Sequence, residues 1–64
     1  MWQAQRFVGE QQERVLAELL EWLNDNEEFI IEFQTVQVQT RDATGAHVYV
    51  VAYRARGDAH IYPA

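Results

Sequence analysis

The side chains in this chain best suited to hold a metal ion are two histidines and two aspartates. His47 and His60 are the only histidines, and Asp42 and Asp58 lie close to them in sequence. Imidazole nitrogens and carboxylate oxygens are common zinc ligands. Their spacing matches no known ligand pattern, and the chain has no cysteine to supply a thiolate. We therefore predict surface histidines, with no metal site and no bound cofactor.

The side chains for acid–base or nucleophilic catalysis are equally sparse. Glu27, Glu28 and Glu32 offer carboxylates, but acidic residues that follow a helix usually form a solvated surface. The chain lacks serine and cysteine, and none of its three threonines lies in a nucleophile motif. Phosphate-binding glycine loops and the HExxH zinc motif are absent too. The sequence therefore predicts a protein that is not an enzyme, with no catalytic residue.

The charge balance argues against two classes of partner. The net charge is −5, whereas nucleic acids and anionic membranes bind positive surfaces. Arg6, Arg54 and Arg56 could meet Tyr49 and Tyr53 on a sheet, as in single-strand binders, but the net charge opposes that function. No apolar run approaches the roughly 20 residues of a membrane span. We expect a cytoplasmic protein that binds neither nucleic acid nor membrane.

Arginine supplies all five basic residues, which we interpret as the codon usage of a GC-rich bacterial genome. The acidic residues are concentrated in the predicted helix and the turn after it, whereas four of the five arginines lie in or beside predicted strands. The molecule should therefore be electrically polarised.

The elements that must position these residues are organised around a hairpin. Runs rich in β-branched and aromatic residues predict a strand over 28–40 and a strand over 46–56. Between them, Asp42 can initiate a turn and Gly45 can close it with a positive φ. In the first run, Phe33 and Val36 have opposite parity, so we predict a β-bulge near Gln34 and Thr35. The alternative is a bent strand whose halves serve different cores.

A strand over 2–8, ending or bulging near Arg6, and a helix over 10–25 precede the hairpin. Gly9 can serve as the helix N-cap, and Asn26 can end the helix in the left-handed conformation. Apolar residues at spacings of three and four predict one stripe on the helix, formed by Val15, Leu16, Leu19, Leu20 and Leu23. Trp22 is expected to flank this stripe.

Together these elements predict a single α+β domain over 1–64. Its order is β-α-β-β, in a three-stranded antiparallel sheet of order 2-3-1 with one helix packed on one face. The third strand is apolar on both faces, so it belongs in the centre. In the tail, 57–64, Ile61 and Tyr62 are expected to fold back over the exposed sheet face or to cap its edge.

A 64-residue chain without disulfides is marginally stable alone, which favours self-association. We predict a small interaction or assembly module, most simply a homodimer with facing sheets. On this hypothesis Val51→Glu would leave the helix intact but separate the subunits. The predicted interface consists of Trp22, Tyr49, Val51, Tyr53, Ile61 and Tyr62.

Two families share this layout. The β-α-β-β order resembles that of dodecins, small flavin-binding proteins that form hollow dodecamers and place a tryptophan on the second strand to stack on the flavin. Here FIIEFQTVQVQT has no tryptophan, and Trp22 lies on the helix. The resemblance implies an alternative function, a binder of a flavin-like ligand in a pocket between subunits.

RFVGEQQERVLAELLEWLNDN and the hairpin after it, roughly residues 5 to 55, are similar in pattern to short sporulation-associated proteins of Bacillus relatives. That resemblance implies a small bacterial accessory protein. Neither resemblance specifies the biological process, a protein partner or the size of the oligomer.

Overall fold

The computed structural model describes residues 1–38, 45–57 and 59–64. It contains four elements: β1 (Trp2–Gly9), α1 (Gln12–Asp25), β2 (Ile30–Val38) and β3 (His47–Ala55). The three strands form one antiparallel sheet in the order β1-β3-β2, which confirms the predicted topology. Gly45 has φ +69°, as predicted for the end of the hairpin turn. The predicted turn residue Asp42 and the end of the predicted second strand, 39–40, lie outside the described residues.

β1 runs straight through the point at which an end or a bulge was predicted. Its pairing with β3 is regular from Trp2 opposite Arg54 to Gly9 opposite His47, so the predicted irregularity near Arg6 is wrong. The physical reason is that the two consecutive apolar residues Phe7 and Val8 each meet apolar neighbours, on opposite faces of the sheet. Phe7 points toward the helix, and Val8 joins other valines on the opposite face.

β2 contains a bulge, but at a different place from the predicted one. The register with β3 shifts between Ile30 and Glu32 and is regular from Glu32 to Val38, so the bulge predicted near Gln34 and Thr35 is wrong. Because side chains alternate between faces along a regular strand, Phe33 and Val36 lie on opposite sides of the sheet. The two apolar sets of β2 therefore serve different surfaces.

The buried stripe of α1 is rotated from the predicted one. Val15, Leu19 and Trp22 are buried, whereas Leu16 and Leu23 only flank the core. Leu20, which was predicted to belong to the stripe, is 58% exposed. The rotation centres the largest side chain, Trp22, over the sheet, where its ring makes edge-to-face contacts with two aromatic rings. Its ring centroid lies 5.7 Å from that of Phe7 and 5.1 Å from that of Tyr53.

The connection between β1 and α1 is tight. Gly9 is the last residue of β1 and not the predicted N-cap, a position that Gln11 occupies without a side-chain cap bond. A Cβ atom on Gly9 would lie only 2.8 Å from Cγ2 of Val15. Glycine therefore allows the first turn of the helix to pack closely on the end of β1.

The core lies between α1 and two of the three strands. The helix packs against β1 and β3, and β2 lies beside this contact, with every residue from Ile31 to Val38 exposed. One helix is too narrow to cover three strands, because strands are about 4.8 Å apart and a helix with its side chains is about 10 Å wide. The buried core cluster consists of Phe7, Val15, Leu19, Trp22, Tyr49, Val51 and Tyr53.

Within the described residues, no helix has the length and apolar character needed to cross a lipid bilayer.

Candidate functional site

The aromatic side chains of β3 lie beneath the helix, which corrects the predicted interface. Tyr49, Val51 and Tyr53 are buried in the core together with Trp22, so the prediction that they form an exposed association surface is wrong. Both faces of β3 are apolar, and alternation alone could not show which face the helix covers. The larger set fills the space under α1, and the smaller valine and alanine set faces away.

Two hydrogen bonds explain how tyrosines fit under the helix. The Tyr49 hydroxyl accepts a 2.6 Å bond from Nε2 of Gln12, and the Tyr53 hydroxyl donates a 3.1 Å bond to Oε1 of Gln3. Each ring is thereby buried while its polar atom keeps a partner. Because Val51 is completely buried between these tyrosines, Val51→Glu tests the fold and cannot serve as the interface test predicted above.

Residues 59–64 pack on the helix side of the molecule. Ile61 contacts the core cluster, and the ring of Tyr62 lies 6.3 Å from that of Phe29. The prediction that this segment covers the exposed sheet face is therefore wrong. The Tyr62 side chain is 61% exposed, so it is the backbone of this residue that is fixed.

Asn26 fixes that backbone. It continues the buried stripe of α1 after Trp22 and is completely buried. Its Oδ1 accepts a 2.7 Å bond from the Tyr62 N–H, and its Nδ2 donates to the backbone oxygens of Trp22 and Tyr62 at 2.9 and 3.3 Å. Its φ is −109°, so the predicted left-handed conformation is wrong. A helix stripe that ends in a polar residue indicates that Asn26 is buried with a hydrogen-bond partner, but it does not identify Tyr62 as that partner.

The face of the sheet opposite to the helix, here called the open face, carries the other side-chain set of each strand. Residues paired directly across antiparallel strands point to the same side, so the register defines four cross-strand rows. At one end, Trp2, Arg54 and Glu32 form a row with a 3.0 Å ion pair between Arg54 Nε and Glu32 Oε1. The remaining rows are Ala4–Ala52–Gln34, Arg6–Val50–Val36 and Val8–Val48–Val38.

Valines dominate the half of the open face nearest the hairpin turn. We call this group the valine cluster, and it consists of Val8, Val36, Val38, Val48 and Val50. Val48 is buried between its two valine neighbours, yet it is not part of the core beneath the helix. Val8, Val36 and Val38 are between 39% and 52% exposed, and Trp2, at the other end of the same face, is 49% exposed.

Most of the negative charge lies away from the open face. Of the eight acidic residues that the structure describes, seven lie in α1 or in the segments flanking it, and Glu32 on the open face is paired with Arg54. Arg6 adds a positive charge to the same face. The polarity predicted from the sequence thus corresponds to an acidic helix side and a nearly neutral, mostly apolar sheet side.

A second exposed apolar surface lies between α1 and β2. This α1–β2 groove has a volume of about 550 Å³. It exists because the helix leaves β2 uncovered after the bulge, which alternation in the sequence could not reveal. Its lining residues are Leu20, Leu23, Asn24, Glu27, Ile30, Ile31, Glu32 and Phe33.

The residues considered for metal binding and catalysis are dispersed. His47 begins β3 opposite Gly9, and His60 follows the other end of that nine-residue strand, beside Phe29 and Arg56. Asp42 and Asp58 lie outside the described residues. Glu27 and Glu32 line the α1–β2 groove, whereas Glu28 lines a separate groove that contains His60. Within 1–38, 45–57 and 59–64, no three side chains of the metal-ligating types come together.

Comparison with family models, with curated proteins and with solved structures finds no match to this chain. The two resemblances in layout therefore stay predictions.

Proposed function

We propose that this chain is a small, non-enzymatic bacterial module for interaction or assembly, which forms a homodimer through its open face. The observation that carries the proposal is the valine cluster. Three of its five side chains are between 39% and 52% exposed on one face of the sheet, together with Trp2. Single exposed apolar residues are ordinary on protein surfaces, but a contiguous group on one face usually marks a contact site.

A second copy fits this face better than a charged partner. A two-fold axis through the interface places the valine cluster of one copy against that of the other, at the separation of about 10 Å typical of packed sheets. Arg6 and the Arg54–Glu32 pair lie outside the row formed by Val8, Val48 and Val38. The charged groups can therefore remain at the rim of such an interface, where they keep water.

The charge distribution supports the same arrangement. Each chain carries a net charge of −5, so any dimer must keep its acidic groups apart. Sheet-to-sheet contact places the two acidic helices on opposite outer sides, separated by both sheets. At such distances charges are largely screened at physiological salt, where the Debye length is about 8 Å. Dimerisation would also bury apolar surface that a chain of this size cannot cover alone.

The proposal keeps the cytoplasmic setting expected from the sequence, since the chain has no cysteine and gains no stability from an oxidising compartment. It names no catalytic residue and no cofactor.

The test compares two adjacent residues of β2 that lie on opposite faces of the sheet. Val36 belongs to the open face and Thr35 to the other, and both are exposed. The mass in solution, measured by light scattering after size exclusion, should be twice the 7.5 kDa of one chain. Val36→Glu should give the monomer mass, because an interfacial carboxylate would be left unpaired, and Thr35→Glu should keep the dimer.

A wild-type monomer at high protein concentration would overturn the proposal. So would a Val36→Glu protein that remains dimeric, or equal dissociation by both substitutions. Circular dichroism of both variants should match that of the wild-type chain, because both positions are exposed.

A further inference from the structure

The α1–β2 groove lies directly beside an open sheet edge. β2 is the last strand in the order β1-β3-β2, and it pairs on one side only in the part of the chain that the structure describes. The outer side of an edge strand presents a row of backbone N–H and C=O groups that can pair with a further strand. β2 has neither proline nor lysine, the residues that usually protect such an edge.

The groove supplies an apolar floor for side chains of an added strand. Leu20, Ile31 and Phe33 are between 51% and 58% exposed, and Leu23 and Ile30 lie deeper, against the core. Leu20 belongs to the helix, and Phe33 belongs to the strand. A strand added beside β2 would therefore lie next to Phe33. The side chains of the added strand that point to the helix side of the sheet would extend toward Leu20.

The charges around the groove indicate the chemistry of the occupant. Glu27 and Glu32 line it, and Glu28 follows Glu27. Glu32 is paired with Arg54, whereas Glu27 and Glu28 form no ion pair with the residues that the structure describes. A basic segment is attracted to this acidic end of the groove, whereas β2 of a second copy has one glutamate and no basic residue to offer. The charge pattern thus favours an unlike partner over a second copy.

We propose that the α1–β2 groove and the free edge of β2 bind an extended segment of another protein, in which apolar residues alternate with basic ones. The segment adds as a fourth strand. Its backbone bonds to β2, its apolar side chains enter the groove beside Leu20 and Phe33, and the basic side chain nearest the turn after α1 reaches Glu27 at the rim. The groove lies on the helix side of the sheet, so a dimer formed through the open face would present two such grooves.

The first experiment uses three labelled nine-residue peptides and fluorescence anisotropy with the full chain. The first peptide alternates valine with lysine or arginine. The second replaces the basic residues by glutamate, and the third carries backbone N-methyl groups at alternate positions. The first should bind, and the other two should bind at least about tenfold more weakly, since they lose the charge attraction and the strand hydrogen bonds respectively. Equal binding of the first and third peptides would exclude strand addition.

The second experiment tests whether the peptide binds in the groove, by comparing two substitutions on the helix. Leu20→Lys and Ala17→Lys add the same charge at exposed positions of α1, but only Leu20 lines the groove. Leu20→Lys should weaken binding of the first peptide at least about tenfold, and Ala17→Lys should change it less than about threefold. Equal effects of the two substitutions would overturn the proposal.

Binding is measured both in the wild-type chain and in Val8→Glu, which places the carboxylate in the valine cluster on β1, the strand farthest from β2, so the result does not depend on whether the open face forms a dimer. If Leu20→Lys instead lowered the mass in solution, the groove would be occupied by a second copy, and the proposal of an unlike partner would be wrong. Absence of measurable binding by the first peptide in both backgrounds would overturn it as well.

Discussion

The side-chain amide of Asn26 forms a reciprocal pair with the backbone of Tyr62, accepting a 2.7 Å bond from its N–H and donating a 3.3 Å bond to its C=O. Nε1 of Trp22 donates to the same carbonyl oxygen at 2.7 Å. Asn26 therefore exchanges two hydrogen bonds with residue 62, as paired residues of neighbouring strands do, although neither residue belongs to the sheet. This pair fixes the last described segment to the end of the helix.

Replacing Asn26 by alanine should lower the free energy of unfolding by about 2 kcal/mol, because the buried bonds to Tyr62 and Trp22 are lost together. Urea unfolding followed by circular dichroism measures the change. Asn24→Ala is the matched control, since Asn24 is exposed in the same turn, and it should change stability by less than about 0.5 kcal/mol. Equal effects of the two substitutions would show that the Asn26 pair contributes nothing beyond helix propensity.

Glutamate at Val51 should unfold the chain, in contrast to glutamate at Val36. Val51 is completely buried beneath the helix, and an unpaired carboxylate there costs more than about 4 kcal/mol, comparable to the whole stability of a domain this small. Far-ultraviolet circular dichroism of Val51→Glu should show loss of the helix. A folded Val51→Glu protein would mean that α1 does not cover this side of β3.

Alanine at Gly9 should destabilise the protein by about 1–3 kcal/mol, because its Cβ atom would crowd Cγ2 of Val15 at 2.8 Å. Gly57→Ala is the control, since a Cβ atom there has nothing within 4 Å. Thermal unfolding measures both. In the double variant Gly9→Ala with Val15→Ala, the total loss should be smaller than the sum of the single losses, because the clash is removed. Additive losses would argue against the contact.

Salt should not dissociate the proposed dimer. Its contact is apolar, and its charged helices repel one another, so raising sodium chloride from about 50 mM to about 500 mM should leave the dissociation constant unchanged or lower it. Sedimentation equilibrium measures this constant. Dissociation by salt would instead indicate an interface formed by ion pairs, such as that between Arg54 and Glu32 in trans.

The sequence was sufficient to predict the topology, because the helix, the hairpin and the doubly apolar third strand each carry a strong local pattern. The faces were harder to predict. Val51 and Val50 are both β-branched, and nothing local to β3 says which of them meets a helix. That choice depends on the volume under α1, which Trp22 and Phe7 fill only when the tyrosines of β3 lie beside them.

The alternation of apolar residues along β2 did indicate that both faces of this strand carry apolar side chains. Val36 and Val38 are out of phase with Phe33, and the strand has one apolar set on each face because each set meets a different surface. A bulge near Gln34 would place Phe33 and Val36 on the same face, whereas a regular strand places Val36 and Val38 on the open face. The contact of Asn26 with residue 62 could not be predicted from spacing, since it joins positions 36 residues apart.

The pairing of β1 with β3 also has a kinetic consequence. β2 and β3 are neighbours along the chain, whereas residue 2 must meet residue 54 before β1 is in register. Closing that long loop costs more chain entropy than closing the hairpin. We expect β1 to dock after the rate-limiting step. Substitutions that weaken the pairing of β2 with β3 should therefore slow folding, whereas substitutions of Phe7 should accelerate unfolding.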